Sequence, residues 1–308
     1  MKKLTKLGKV AEQVRDYAKD CRDEVIPVRS LSFNSIDSIK IGSETHPMKT
    51  MAQKSMAYRC NVPHNYISRC PEELQKENLE YWLQSVTNES LLFRFKGDSV
   101  RSIFTEKYVP YNNTQIIELL EKYGLKNDAP VEFMFDDNLM AINIPDQEKQ
   151  FQIKKDKYIP GTSIVNSETG ISSIKITSYT YRIVCQNGLI HKTQESYSRK
   201  HLSEKINEEF PEVMNRVLDN LNVHKKQFKI ALDTPVDNPI ETIKTFNRQF
   251  QLSENERAAV SWGYETEPGN TMFSVINAYT SAPKFQGLTA AAQYNLQKTG
   301  GQILALLN

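Results

Sequence analysis

The residues best suited to chemistry fall into two sets. One is cations interleaved with aromatic rings; the other is a few carboxylates and thiols. Arg94, Lys96, Arg101 and Lys107 follow one another in LLFRFKGDSVRSIFTEKYVPY, with Tyr108 directly behind them. Lys175, Arg182 and Lys192 recur along IKITSYTYRIVCQNGLIHK, together with Tyr179 and Tyr181. Cations neutralise phosphates and release condensed counterions, and flat rings offer stacking faces worth roughly 1–3 kcal/mol per base. The combination suits a grip on single-stranded nucleic acid. A bland reading stands beside it: a basic stretch is often a solvated face, and tyrosines pack well on any half-buried sheet.

The charge that carries this reading is local. Between Lys149 and Lys200 nine basic residues face three acids, a net of +6, while the whole chain of 308 residues carries only +2. So small a total excludes a uniformly basic binder of the histone kind. From Ile230 onward five bases face seven acids. That acidic end motivates a second reading, an interaction protein that blocks or recruits a host protein without nucleic acid.

Motifs for covalent or metal chemistry are sparse. No G-x-x-x-x-G-K phosphate loop, G-x-G-x-x-G, C-x-x-C or H-E-x-x-H occurs, which argues against an ATP-driven motor, a dinucleotide enzyme and the common zinc sites. Cys60, His64 and Cys70 lie close together at a spacing that suits no common zinc site. Cys185 and His191 flank Asn187-Gly188 as a nucleophile–base pair would, but nothing orients the pair. A third reading is a metal-dependent nuclease using Glu132, Asp136, Asp137 or Glu168; two aspartates before Asn138 are also ordinary turn residues. The leading expectation is therefore a protein without an enzymatic role, cofactor or metal. Four irregularly spaced cysteines fit reduced thiols in the cytoplasm. There is no apolar run of membrane-spanning length, and MKKLTKLGKV has no apolar leader core, so neither a membrane span nor a secretory signal is expected.

Three blocks must position these residues. Residues 1–90 read as helical: Val10, Val14, Tyr17 and Ala18 recur at helical spacing, Met48 to Ala57 suggest a second helix, and Pro71 opens a third with Leu74, Asn78, Tyr81, Trp82 and Val86 inward. Residues 31–41 alternate as a strand or a loose arm would. Residues 91–194 read mainly as hairpins turning at Gly97-Asp98, Asp136–Asn138 and Asn187-Gly188, with one short helix at 112–123. Residues 195–308 read as helices again. Leu202, Ile206 and Phe210 mark one, and Pro211 and Pro239 each open another. Ser253 and Glu256 form a capping box, and an Ala-rich final helix is interrupted at Gly300-Gly301. The order predicts an α+β fold: a central, largely antiparallel sheet flanked by two helical blocks, as one domain or two closely packed ones.

Several stretches resemble a phage and plasmid protein family, the domain-of-unknown-function 932 family. They are PHNYISRCPEELQKENLEYWL at 63–83, LLFRFKGDSVRSIFTEKYVPYNN at 91–113, IVNSETGISSIKITSYTYRIVCQNGLI at 164–190 and TMFSVINAYTSAP at 271–283. The third stretch resembles the family's asparagine–serine–glutamate turn and the hairpin after it, here Asn166, Ser167, Glu168, Gly170, Arg182, Cys185, Asn187 and Gly188. The resemblance implies a protein of a mobile element. A looser similarity of fold class and setting links it to ATP-independent single-strand annealing proteins. The resulting expectation is single-stranded DNA binding or annealing in recombination or replication. Arg94, Lys96, Arg101, Lys107, Lys175, Arg182 and Lys192 would contact phosphates. Tyr108, Tyr179 and Tyr181 would stack on bases, and Asn166, Ser167, Glu168 and Asn187 would shape the groove edge. Homo-oligomers and a host or phage replication protein are the expected protein partners.

Overall fold

Strand and helix assignments follow mainly from where apolar side chains alternate and where they recur every three or four residues. The computed structural model describes residues 4–307, apart from 155, 184–185, 192–196, 200–205 and 220. The chain opens with a short strand β1 (Thr5–Lys6) and helix α1 (Leu7–Ala18). It continues through β2 (Cys21–Pro27), β3 (Leu31–Ser35), β4 (Ser38–Ile41) and β5 (Glu44–Pro47). Helices α2 (Thr50–Arg59), α3 (His64–Ile67) and α4 (Glu72–Leu83) come next, then the hairpin β6 (Ser90–Lys96) and β7 (Ser99–Thr105).

Residues 21–105 build one apolar cluster of their own, from Ile26 and Phe33 through Met56 and Leu79 to Phe93 and Ile103. Two three-stranded sheets, β2-β6-β7 and β3-β4-β5, frame it. The first block is thus not purely helical, and the boundary expected at 90 falls inside this unit, because β6 pairs with β2 along its whole length. The inner face of α4 also differs from expectation. Gln75, Leu79 and Leu83 are buried, and Leu74, Tyr81 and Trp82 are exposed. The deciding contacts are polar: the Gln75 and Glu80 carboxamide and carboxylate oxygens accept from the Ile36 and Phe33 amides of the β3 segment at 2.9 and 2.5 Å.

The main sheet follows. After α5 (Asn113–Lys122) come β8 (Pro130–Phe135), β9 (Met140–Pro145), β10 (Phe151–Ile153), β11 (Asp156–Asn166), β12 (Ile174–Arg182), β13 (Asn187–Ile190) and β14 (Tyr197–Arg199). They pair antiparallel in the order β1-β8-β9-β11-β12-β13, with β10 on β11 and β14 on β12. Alternation sorts the two faces. Ile142, Ile164 and Ile176 meet α1, α5 and the next helix, α6 (Ile206–Asp219); Ala141, Val165, Tyr179 and Tyr181 face the other way. The remaining helices are α7 (Leu221–Asp233), α8 (Pro239–Gln249), α9 (Glu254–Thr266), α10 (Met272–Ser281) and α11 (Ala290–Leu304). They share a cluster with Ile153, Tyr158 and Leu189 of the sheet, and Ala290 and Tyr294 of α11 cover its second face. The observed class is α+β, as expected. Among the described residues, no helix is long and apolar enough to cross a membrane.

Three local expectations are corrected. Asn187 and Gly188 are not a turn: they open β13 opposite Arg182 and Tyr181. Gly188 is needed because a Cβ there would meet Tyr179 and Glu132. Pro211 lies inside α6 instead of opening a helix. Gly300-Gly301 do not interrupt α11; a Cβ on Gly301 would overlap the Ile190 carbonyl, so the pair lets the helix press against β13. Leu202, Cys185 and Lys192 lie outside the described residues.

Candidate functional site

On β6, Phe93 and Phe95 point into the apolar cluster of residues 21–105, so Arg94 between them points the other way. It meets the turn after β11 and the start of α5. Its Nε donates to Asp23 at 2.8 Å, Nη1 to the Glu168 carbonyl at 3.1 Å, and Nη2 to the Asn112 side chain. Arg101 on β7 sits beside it. Nε donates to Asp137 Oδ1 and Nη1 to Glu168 Oε2, both at 3.0 Å. Glu168 also accepts from the Asn113 backbone N–H at 2.7 Å, in the first turn of α5, where the helix dipole favours an anion. Lys49 and Tyr17 donate to Asp137 as well. Three cations (Arg94, Arg101, Lys49) thus meet three carboxylates (Asp23, Asp137, Glu168).

The β6–β7 hairpin thus meets the turns after β8 and after β11, as a paired charge network and not as a cationic trough. Arg94 is 3% and Arg101 1% exposed, and their guanidinium groups are spent on internal partners. The expectation that they contact phosphates is corrected: freeing Arg101 would strand the buried Glu168 carboxylate, at a cost on the order of 3–5 kcal/mol, and freeing Arg94 would break its bonds to Asp23, the Glu168 carbonyl and Asn112. Asn166 and Ser167 are buried too. Asn166 donates to the Tyr111 carbonyl and Asn113 Oδ1, and Ser167 to the Asn138 carbonyl. With Glu168 they do form a turn, but one that clamps the sheet to α5 instead of lining an open groove. Burial, followed by the charge of Glu168, pushes the Asp137 carboxyl up to about 6 even with Arg101 and Lys49 beside it. A cleft of about 210 Å³ opens onto this network past Cys21, Asp23, Arg94 and Asn112.

The long hairpin is equally closed. Tyr179 is 0% exposed and donates to Glu132 at 2.8 Å; the same carboxylate accepts from Asn143 and Gln297. Burial and the charge of Glu132 hold the Tyr179 phenol well above its ordinary range, and burial pushes Tyr181 up to about 12. Neither ring is available to a base. Arg182 pairs with Asp156 and Glu267, each at 2.8 Å, and lies over the Phe273 ring. Asn187 donates to Asn277 and Ser281 of α10. These four are corrected from ligand contacts to core. Tyr108 is half-buried, stacked on Phe104 at 3.8 Å, and burial pushes its phenol up to about 12. Lys96 is half-buried with its ammonium 3.1 Å above the Tyr17 ring; Lys175 is half-buried, and Lys107 is exposed.

The four acids proposed for a nuclease do not converge. Glu132 belongs to the Gln297 network. Asp136 caps its own turn and accepts from the Ala290 amide at the start of α11. Asp137 and Glu168 are paired with Arg101. Among the described residues, no group of three or more His, Cys, Asp or Glu is placed to hold a metal ion. Cys60 is core, His64 meets Gln53, and His191 is buried against Thr180.

Cations gather elsewhere, where β10 lies against α7, all exposed except the half-buried Lys225. Lys225 stands 5.0 Å over the half-buried Phe151 ring, and Lys154 at the β10–β11 turn pairs with Asp233 at 2.7 Å. Helical spacing places Lys229 between these two points and Lys226 on the same side; both are exposed, while Phe228 turns inward against Tyr158. The sequence signal for this strip is HKKQFK at 224–229, cations at helical spacing around one phenylalanine, outside the two basic stretches singled out from the sequence. A family model described as a domain of unknown function, DUF932, matches residues 102–299 of the chain. No curated protein and no solved structure matches it significantly.

Proposed function

The chain belongs to the DUF932 family, and from that premise we propose that it is a nucleic-acid-binding protein that holds single-stranded DNA in recombination or replication, without ATP and without covalent chemistry. One observation carries the reading: the lysine strip of α7 and β10. Lys225, Lys226 and Lys229 have no carboxylate partner among the described residues, and the one acid of the strip, Asp233, is held by Lys154. From Lys225 to Asp233 the strip runs about 12 Å along the helix, at 1.5 Å per residue. A polyanion laid along it would exchange condensed cations for three ammonium groups beside an aromatic ring. The mobile-element setting implied by the sequence resemblance fits such a role.

The test is a mobility shift with a single-stranded oligonucleotide across a salt series. Three phosphates neutralised on a single strand contribute about −2 to the slope of log K against log salt, at roughly −0.7 each. Replacing Lys225, Lys226 and Lys229 together by Ala should remove that portion while leaving the fold intact. Unchanged affinity and slope in the triple variant would overturn the reading.

A further inference from the structure

Helix α4 leaves a second, unpaired face. With Gln75, Leu79 and Leu83 turned inward, a rotation of about 100° per residue places Leu74, Tyr81 and Trp82 together on the solvent side. Tyr81 is 66% and Trp82 41% exposed, and their rings meet edge to face with centroids 5.1 Å apart. Glu73 and Glu77 run as a row alongside, both exposed, and among the described residues neither is ion-paired. Glu80 adds a third carboxylate at the row's inner border, where it accepts from Phe33.

Rings of this kind are common anchors at protein interfaces, where Trp and Tyr dominate the binding energy. The acidic row selects the occupant by charge. It repels nucleic acid and anionic lipid, so the stacking reading that suits exposed aromatics elsewhere fails on this helix. We propose that α4 is the docking face for a segment of a partner protein, an amphipathic helix that seats apolar side chains on Leu74, Tyr81 and Trp82 and brackets them with Lys or Arg facing Glu73 and Glu77. The proposal is independent of the lysine strip, which lies on a different element and has the opposite charge.

The experiment titrates the full chain by calorimetry with two synthetic helical peptides. Both carry Leu at positions i, i+3, i+4 and i+7; one fills the remaining positions with Lys, the other with Glu. The Lys peptide should bind and the Glu peptide should not. Tyr81→Ser with Trp82→Ser should weaken binding at least tenfold, as should the charge reversal Glu73→Lys with Glu77→Lys, which leaves the rings in place. Thermal unfolding of each variant checks that the fold is kept, and the charge reversal still tests the face if loss of the rings disturbs it. Equal binding of both peptides, or of neither, overturns the proposal. Self-association abolished by Trp82→Ser, or an oligonucleotide that competes with the Lys peptide, would give the face to a different occupant and overturn it equally.

Discussion

Arg101→Ala separates the two roles that a conspicuous arginine can have. The side chain is 1% exposed and makes four contacts: Asp137 Oδ1, the Asp137 carbonyl, Glu168 Oε2 and the Cys21 sulfur. Truncation leaves Asp137 with Lys49 and Tyr17, and Glu168 with a single backbone amide. Removing one member of a buried ion network costs about 3–5 kcal/mol, a large share of the roughly 5–15 kcal/mol that holds a domain together. At roughly 2–4 °C per kcal/mol for chains of this order, the midpoint should fall by about 6–20 °C. Scanning calorimetry reads that fall, and a parallel oligonucleotide titration of the folded variant should show an unchanged salt slope. The neutral combination Arg101→Met, Asp137→Asn and Glu168→Gln should recover much of the loss, because it leaves no buried charge unpaired. A variant with an unshifted midpoint and a flattened salt slope would refute the reasoning and return the arginine to the surface.

Other outcomes follow from the same geometry. Glu132→Gln points an amide N–H₂ at a site where Asn143, Tyr179 and Gln297 all donate, so at least one bond is lost and urea unfolding should register about 1–3 kcal/mol. Gly301→Ala drives a methyl group into the Ile190 carbonyl and should destabilise by about 2 kcal/mol or more, seen as a lowered thermal midpoint. Asp137 should titrate near 6 by carbon NMR of its carboxyl. Because the folded chain holds that proton more tightly than the unfolded one, the group's contribution to stability grows as pH falls from about 6 toward the ordinary carboxylate range and is absent above it; a midpoint near 4 would contradict the burial argument. Ser253→Ala breaks the reciprocal cap with Glu256 and should cost about 1 kcal/mol in chemical unfolding.

What could be read from the sequence was what is set locally. The cap at Ser253 and Glu256, the turn at Gly97 with its positive φ, and Pro239 at the start of α8 each depend on residues within a turn of one another. The α+β class followed from the same kind of signal. Helix α4 shows the limit. Its sequence offers two stripes at helical spacing, one through Leu74, Tyr81 and Trp82 and one through Gln75, Leu79 and Leu83, and hydrophobicity favours the wrong one. The choice is made by two backbone amides of the β3 segment, 39 and 47 residues away in sequence. The arginines fail for the same reason. Arg94 and Arg101 look like free charge until Glu168, 74 and 67 residues further on, is brought beside them. A count of charges along a chain cannot say which have already been neutralised by folding.

The unit of residues 21–105 hangs from the main sheet as an insertion. The chain leaves that sheet's core at Ala18 and re-enters it at α5, and Ala18 and Asn112 line the same narrow cleft. The exit and return points are therefore neighbours, and a linker of a few residues could join them. Nature or a designer could exchange or delete everything between as a cassette, with the eight-stranded sheet and its helices left whole. The condition is that Asp137 and Glu168 be neutralised in the same step, since their counter-charges leave with the piece removed.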